Sequence, residues 1–154
     1  MSTGTIPPGT EGVEELASTL VQQAARLTRL VFARLDVGLS RSEASLLAQV
    51  ELVPQRITSL AELDGLAQPT VTLMVKRLET AGLVRREPSV EDGRVVLVSL
   101  TESGAEALEL VRASYRERLR GCLADLPADD IEALRPATRV VATLIKRLQK
   151  DGSR

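Results

Sequence analysis

The chain of 154 residues contains no histidine, no tryptophan, one cysteine, one phenylalanine and one tyrosine. Each scarcity removes a class of function. Without histidine, Ser-His-Asp and Cys-His nucleophile systems are excluded. With Cys122 as the only thiol, a zinc site built from the usual ligands is excluded as well. A lone cysteine forms no intramolecular disulfide, which fits a reducing cytoplasm. No apolar run approaches the roughly 18 residues that a membrane-spanning helix needs. Together with the missing glycine-rich phosphate loop and the missing paired carboxylates, these gaps argue against an enzyme. With Phe32 and Tyr115 as the only aromatics, the core must be built from Leu, Val, Ile and Ala, a composition that leans toward helices.

What remains is the balance of a globular protein, 44% hydrophobic and 27% charged, with a net charge of −1. Any affinity for nucleic acid must therefore come from locally concentrated charge. Met1–Glu11, MSTGTIPPGTE, reads as an unstructured tail; it has neither the basic nor the apolar region of a signal peptide. From residue 12 to residue 150 the chain reads as a single domain.

Apolar residues at Val13, Leu16, Leu20, Ala24, Leu27, Val31 and Leu35 step by three and four, which predicts an amphipathic helix. Ser40 and Glu43 have the spacing of a capping box and open a second helix, from Arg41 to about Leu52. After Pro54, Thr58 is placed to cap a short helix, Ser59–Leu63, and Asp64-Gly65 signals a turn. A further helix runs from Gln68 to Thr80, with Pro69 in its first turn and Gly82 beyond its end. Leu83–Glu87 and Arg94–Leu100 then read as two strands of a hairpin around the polar loop Pro88–Gly93. Thr101 caps a long helix to about Ala124. Pro127 separates it from a last helix, Asp129–Lys150, whose seam is Ile131, Leu134, Thr138, Val141, Ile145 and Leu148. Pro136 lies inside that helix and predicts a kink or break near Arg135.

A short helix, a glycine-bearing turn, a second helix and a hairpin make a winged helix-turn-helix. The fold class is thus mainly α with a small β-hairpin wing. Residues 39–101 form the DNA-binding lobe, and residues 12–38 and 102–150 form helices suited to dimerisation. The second helix of such a motif enters the major groove while the first braces it across the backbone. On a wheel of about 100° per residue, Val71, Met74, Val75 and Leu78 point inward. Pro69, Thr72, Leu73, Lys76 and Thr80 point outward, flanked by Gln68, Thr70 and Arg77. Gln68 has the chemistry to read adenine. Thr70 and Thr72 suit phosphates or a thymine methyl, Lys76 suits a phosphate, and Leu73 suits a thymine methyl. Arg85 and Arg86 read as solvated or paired with Glu87, with contact to DNA the other reading. At the hairpin tip, Arg94 suits a narrow minor groove with Asp92 pairing its guanidinium; alternatively, Asp92 makes the turn and Arg94 is an exposed strand end.

Asp92-x-Arg94, five residues, then Leu100-Thr101 matches the D-x-R-x₅-L-T wing signature of the MarR family. GLAQPTVTLMVKRLETAGLVRREP resembles that family's recognition helix and first wing strand. The resemblance implies a cytoplasmic homodimer with interlocked terminal helices that binds a pseudo-palindromic operator in double-stranded DNA. It further implies a repressor released by a small aromatic or phenolic effector. By the same resemblance Arg94 is the minor-groove arginine, Asp92 is its anchor, and Gln68, Thr70, Thr72 and Lys76 face the major groove. The chain departs from the family at Leu73, Ala67 and Gly93, where a basic residue, a serine cap and a second wing basic residue are common.

Independently of the resemblance, the long amphipathic helices at both ends call for a second copy to cover them, with covering within one chain as the alternative. An effector pocket is expected to be lined from the first, second and fifth helices, with Arg26, Arg29 and Arg34 as candidates for an anionic ligand. Cys122, set among Leu119, Leu123 and Leu126, reads as a buried, inert thiol, with redox sensing the other reading. The competing functional class is a winged-helix module that binds protein instead of DNA.

Overall fold

The computed structural model describes residues 10–33 and 38–151. Its elements run α1 (Thr10–Phe32), α2 (Arg41–Leu52), α3 (Ile57–Asp64), α4 (Gln68–Thr80), β1 (Val84–Pro88), β2 (Val96–Leu100), α5 (Glu102–Ala124) and α6 (Ala128–Asp151). Helix α1 belongs to one unit, and every later element belongs to a second. Thr10 and Glu11, expected in the tail, are helical. The rest of the tail, Arg34 and Leu35 lie outside the described residues.

Helix α2 opens as its sequence dictates. The Glu43 amide donates to Ser40 Oγ at 3.2 Å, and the Ser40 amide donates to Glu43 Oε2 at 2.9 Å. This closes a capping box that satisfies two orphan donors at once. The helix buries Ala44, Leu46, Leu47 and Val50. It ends at Val53, whose extended backbone is what a following proline imposes. Past Pro54, Gln55 exchanges two backbone hydrogen bonds with Val98, at 3.0 and 2.8 Å, adding a one-residue third strand to the hairpin. A single bridging residue has no alternation for a sequence reading to detect.

Helix α3 starts earlier than expected. Arg56, not Thr58, occupies the N-cap position and supplies no side-chain cap. Ile57 becomes the first helical residue because it packs against the core, and that burial outweighs the capping preference of Thr58. Gly65 takes φ 62°, the left-handed conformation that glycine adopts without a Cβ penalty, and turns the chain into α4. Ser45 Oγ and Gln49 Nε2 both donate to Asp64 Oδ1, at 3.0 and 2.7 Å, tying α2 to the end of α3.

Strands β1 and β2 pair antiparallel, with Val84 opposite Leu100 and Pro88 opposite Val96. Strand β1 therefore ends one residue later than the sequence suggested, and β2 begins two residues later. The difference arises because Arg94 and Val95 are used by the turn. One aliphatic core joins α2, α3, α4, the hairpin and α5 through Leu46, Leu47, Val50, Leu60, Val71, Val75, Leu78, Val84, Val98 and Leu108. It contains no aromatic ring, as the composition required.

The hairpin is locked to α5 at one junction. The Thr101 hydroxyl donates to the Gly82 carbonyl at 2.7 Å and accepts the Gly104 amide at 3.0 Å, while the Thr101 amide donates to the Leu83 carbonyl at 3.2 Å. Gly104 is buried there, and a Cβ on it would lie 2.0 Å from the Leu83 carbonyl oxygen. Further along, Arg112 grips Glu51 with two parallel bonds of 2.9 and 2.6 Å, fastening α5 to the end of α2.

Helix α6 runs unbroken through Pro136, so the expected break does not occur. Proline removes one backbone bond and costs about 3 kcal/mol, but the turns on either side remain bonded, and the Thr138 hydroxyl donates to the Arg135 carbonyl at 2.9 Å. Cys122 is exposed, not buried, because α5 has run past the aliphatic core by that point, whose last α5 member is Leu108.

Two predictions concern stability. Gly104→Ala forces a Cβ against a carbonyl that has no room to yield, so it should destabilise the protein by about 3 kcal/mol. The check is a lower urea midpoint at an unchanged slope. Burial tends to raise the Glu43 carboxyl pKa, but bonds from Ser40 and the nearby Arg77 guanidinium outweigh it and hold the group below 4.5. A depressed carboxylate contributes stability that is complete above its unfolded value and lost as pH falls through its folded value. Glu43→Gln should therefore be less stable than the wild type at neutral pH, and the gap should close as unfolding is followed into acid. A gap that persists below the carboxylate range would show that the ionic bonds are not its source.

Candidate nucleic-acid interface

Helix α4 is held by its inner stripe. Val71, Val75 and Leu78 are buried and Met74 is half-buried, as the wheel predicted. The opposite side is thereby committed to solvent: Gln68, Pro69, Thr70, Thr72, Leu73, Lys76, Arg77 and Thr80 are all exposed. Ala67 precedes the helix without any side-chain cap.

The exposed groups are not equivalent. The Thr72 hydroxyl donates to the Gln68 carbonyl at 2.9 Å, and the Thr80 hydroxyl donates to the Lys76 carbonyl at 2.9 Å. The Thr70 hydroxyl and the Gln68 amide make no such bond among the described residues. Arg77 leans back over the body of the lobe, with its guanidinium 3.5 Å from the buried carboxylate of Glu43, yet its side chain remains 71% exposed. It thus joins the recognition helix to the capping box of α2. The two residues are far apart in sequence, and no local spacing announces the pair. Lys76 has no ion pair among the described residues.

On the hairpin, Arg85 pairs with Glu87 at 3.1 Å and Arg86 pairs with Glu79 at 3.3 Å. The Ser99 hydroxyl also donates to Glu87. The bonds from Ser99 and Arg85 hold the Glu87 carboxyl below its usual range.

At the tip, the Arg94 amide donates to Asp92 Oδ1 at 3.0 Å, and the Val95 amide donates to the Asp92 carbonyl at 2.9 Å. The Asp92 carboxylate therefore shapes the turn through the Arg94 backbone instead of holding its guanidinium. A two-residue separation in a tight turn brings the carboxylate to the nearest amide first. Arg94 is left exposed at the tip, without an ion pair among the described residues.

The fold thus brings two groups together on one lobe: the outward face of α4, and a hairpin that carries Arg94 at its tip. Of the cations on these elements, Arg77, Arg85 and Arg86 are matched by carboxylates. Lys76 and Arg94 are not.

Comparison with known proteins agrees with this geometry. The MarR family model matches residues 39–96. An HTH-type transcriptional regulator of Mycobacterium leprae (strain TN) is 37% identical over 87 residues, covering 56% of this chain and 61% of the relative. The chain thus spans less than two thirds of that relative's length. Among solved structures, wild-type MarR from E. coli in its apo form superimposes with a TM-score of 0.65 at 26% identity, over 89% of this chain and 98% of the other. The transcriptional regulator BldR from Sulfolobus solfataricus gives 0.68 at 24% identity, over 88% and 98%; at that identity the likeness speaks for the fold alone. Residues 39–96 therefore match the MarR family model, and the chain has the winged-helix fold of MarR-family structures.

Proposed function

We propose that this protein is a DNA-binding transcriptional regulator of the MarR type, acting as a homodimer on a pseudo-palindromic operator. The observation that carries the reading is the pair of unneutralised cations, Lys76 on the outer face of α4 and Arg94 at the wing tip, on two elements whose other cations, Arg77, Arg85 and Arg86, are each matched by a carboxylate. A phosphate backbone is the partner that exposed cations on a groove-sized helix suit. Gln68 and Thr70 keep free hydrogen-bonding groups for base edges or phosphates, and Arg77 reaches a phosphate only by leaving or sharing Glu43. Arg94 is assigned to the minor groove, with Asp92 fixing the turn that presents it.

The homodimer is supported by apolar residues left bare on α1 (Val13, Leu16, Val21, Leu27, Leu30) and on α6 (Leu134, Val140, Leu144, Ile145, Leu148). Residues of this kind gain most by contact with a second copy. Light scattering should return the mass of two chains, and a monomeric mass would overturn the dimer. A cytoplasmic repressor released by a small aromatic or phenolic effector completes the reading. That part rests on the family resemblance, and addition of a small phenolic acid to the protein–DNA complex tests it.

Fluorescence anisotropy against duplex DNA from upstream of the protein's own gene, at two salt concentrations and with a scrambled control, tests the central claim. Selective binding that weakens steeply with salt supports it. Selective duplexes that are bound without salt dependence would contradict contact with phosphates. Arg94→Ala should weaken binding about tenfold with folding and dimerisation retained. Lys76→Ala should weaken binding to all sequences alike and make the salt dependence shallower by about one counterion.

A further inference from the structure

The centre of the outward face of α4 is apolar. Leu73 is 61% exposed. Pro69, one turn earlier, has no amide hydrogen to offer. Thr72 has spent its hydroxyl hydrogen on the Gln68 carbonyl, at 2.9 Å. A hydroxyl so engaged cannot donate to a phosphate, whose oxygens only accept, so Thr72 presents its γ-methyl and an oxygen that can only accept. Pro69, Thr72 and Leu73 line one shallow depression of about 380 Å³ together with Gln68 and Lys76. A second depression of about 430 Å³ continues it past Leu73 to Lys76, Arg77 and Thr80. Neither is lined by a carboxylate.

An apolar strip bordered by cations calls for a partner that is anionic overall yet presents an apolar group at close range. The major-groove edges of the base pairs display one such group, the C5-methyl of thymine. The geometry points to Leu73, with Pro69 and the Thr72 methyl, as the element that reads thymine C5-methyl groups in each half-site. This deepens the DNA-binding reading above and rests on it.

The experiment begins by selecting duplexes from a randomised pool with the full-length chain. Each thymine of the recovered half-site is then replaced in turn by uracil, which removes the methyl and leaves every hydrogen-bonding group in place. The expected result is one or two positions per half-site at which uracil weakens binding about fourfold, the burial of one methyl group. At those positions Leu73→Ala should bind thymine and uracil duplexes nearly alike. Uracil-insensitive binding by the wild type would overturn the methyl assignment and leave the DNA-binding reading standing. Equal uracil sensitivity in the wild type and in Leu73→Ala would overturn it too, by placing the methyl contact elsewhere. Recovery of no preferred duplex would overturn both.

Discussion

The packing of one helical stripe governs the rest. Val71, Val75 and Leu78 of α4 are fully withdrawn into an aliphatic core supplied by α2, α3, the hairpin and α5. A helix gripped along one stripe has its rotation about its own axis fixed, since turning it by one residue would expose three buried side chains at about 1.5–3 kcal/mol each. Which residues face outward is therefore a consequence of what is buried, and the chemistry of the outer face inherits the precision of the core. The Gly65 turn sets where that helix begins. The Thr101 and Gly104 junction fixes the hairpin against α5, so wing and recognition helix share one rigid base.

Charge is distributed on the same lobe with a consistent logic. Glu43, Glu79 and Glu87 each hold an arginine that borders the candidate interface. Exposed ion pairs of this kind contribute little to stability. Their effect is instead to lower the number of free cations on α4 and the hairpin, so that these two elements present Lys76 and Arg94 as discrete positive points, not as a broad basic surface. Glu43 differs from the other two in being buried. It completes the α2 cap and anchors Arg77, so it joins the start of one helix to the far half of another.

Much of this was legible in the sequence because it is local. The capping box at Ser40 and Glu43, the span Gln68–Thr80, the Gly82 terminus and the Thr101 cap each depend on residues within a turn of one another. The inner and outer faces of α4 followed from periodicity alone. What escaped the sequence depended on tertiary context. The start of α3 was decided by packing of Ile57, the strand bounds by a turn that absorbed Arg94 and Val95, and the Gln55–Val98 bridge by two backbones meeting from distant segments. The Arg77–Glu43 pair and the exposure of Cys122 belong to the same class. At the wing, Asp92 and Arg94 were identified as a unit, but their bond runs through the backbone amide, a choice that depends on turn geometry and not on residue type.

The departures from the family pattern follow from the same face. Under the proposed DNA-binding reading, a leucine where a basic residue is common, an uncapped Ala67 and a bare Gly93 would each mean fewer phosphate contacts. Each phosphate contact releases a counterion and adds affinity without regard to sequence. A lobe with fewer of them has a lower non-specific background, so a given apolar or base-edge contact makes up a larger share of its total affinity. Under the proposed reading, a leucine at position 73 in place of a cation would do two things at once: weaken attraction to any duplex, and add a group that distinguishes thymine from cytosine. On such a surface, discrimination between sites rises even as the overall grip falls. In the proposed homodimer that trade would be workable, because the selective contacts of both half-sites would add.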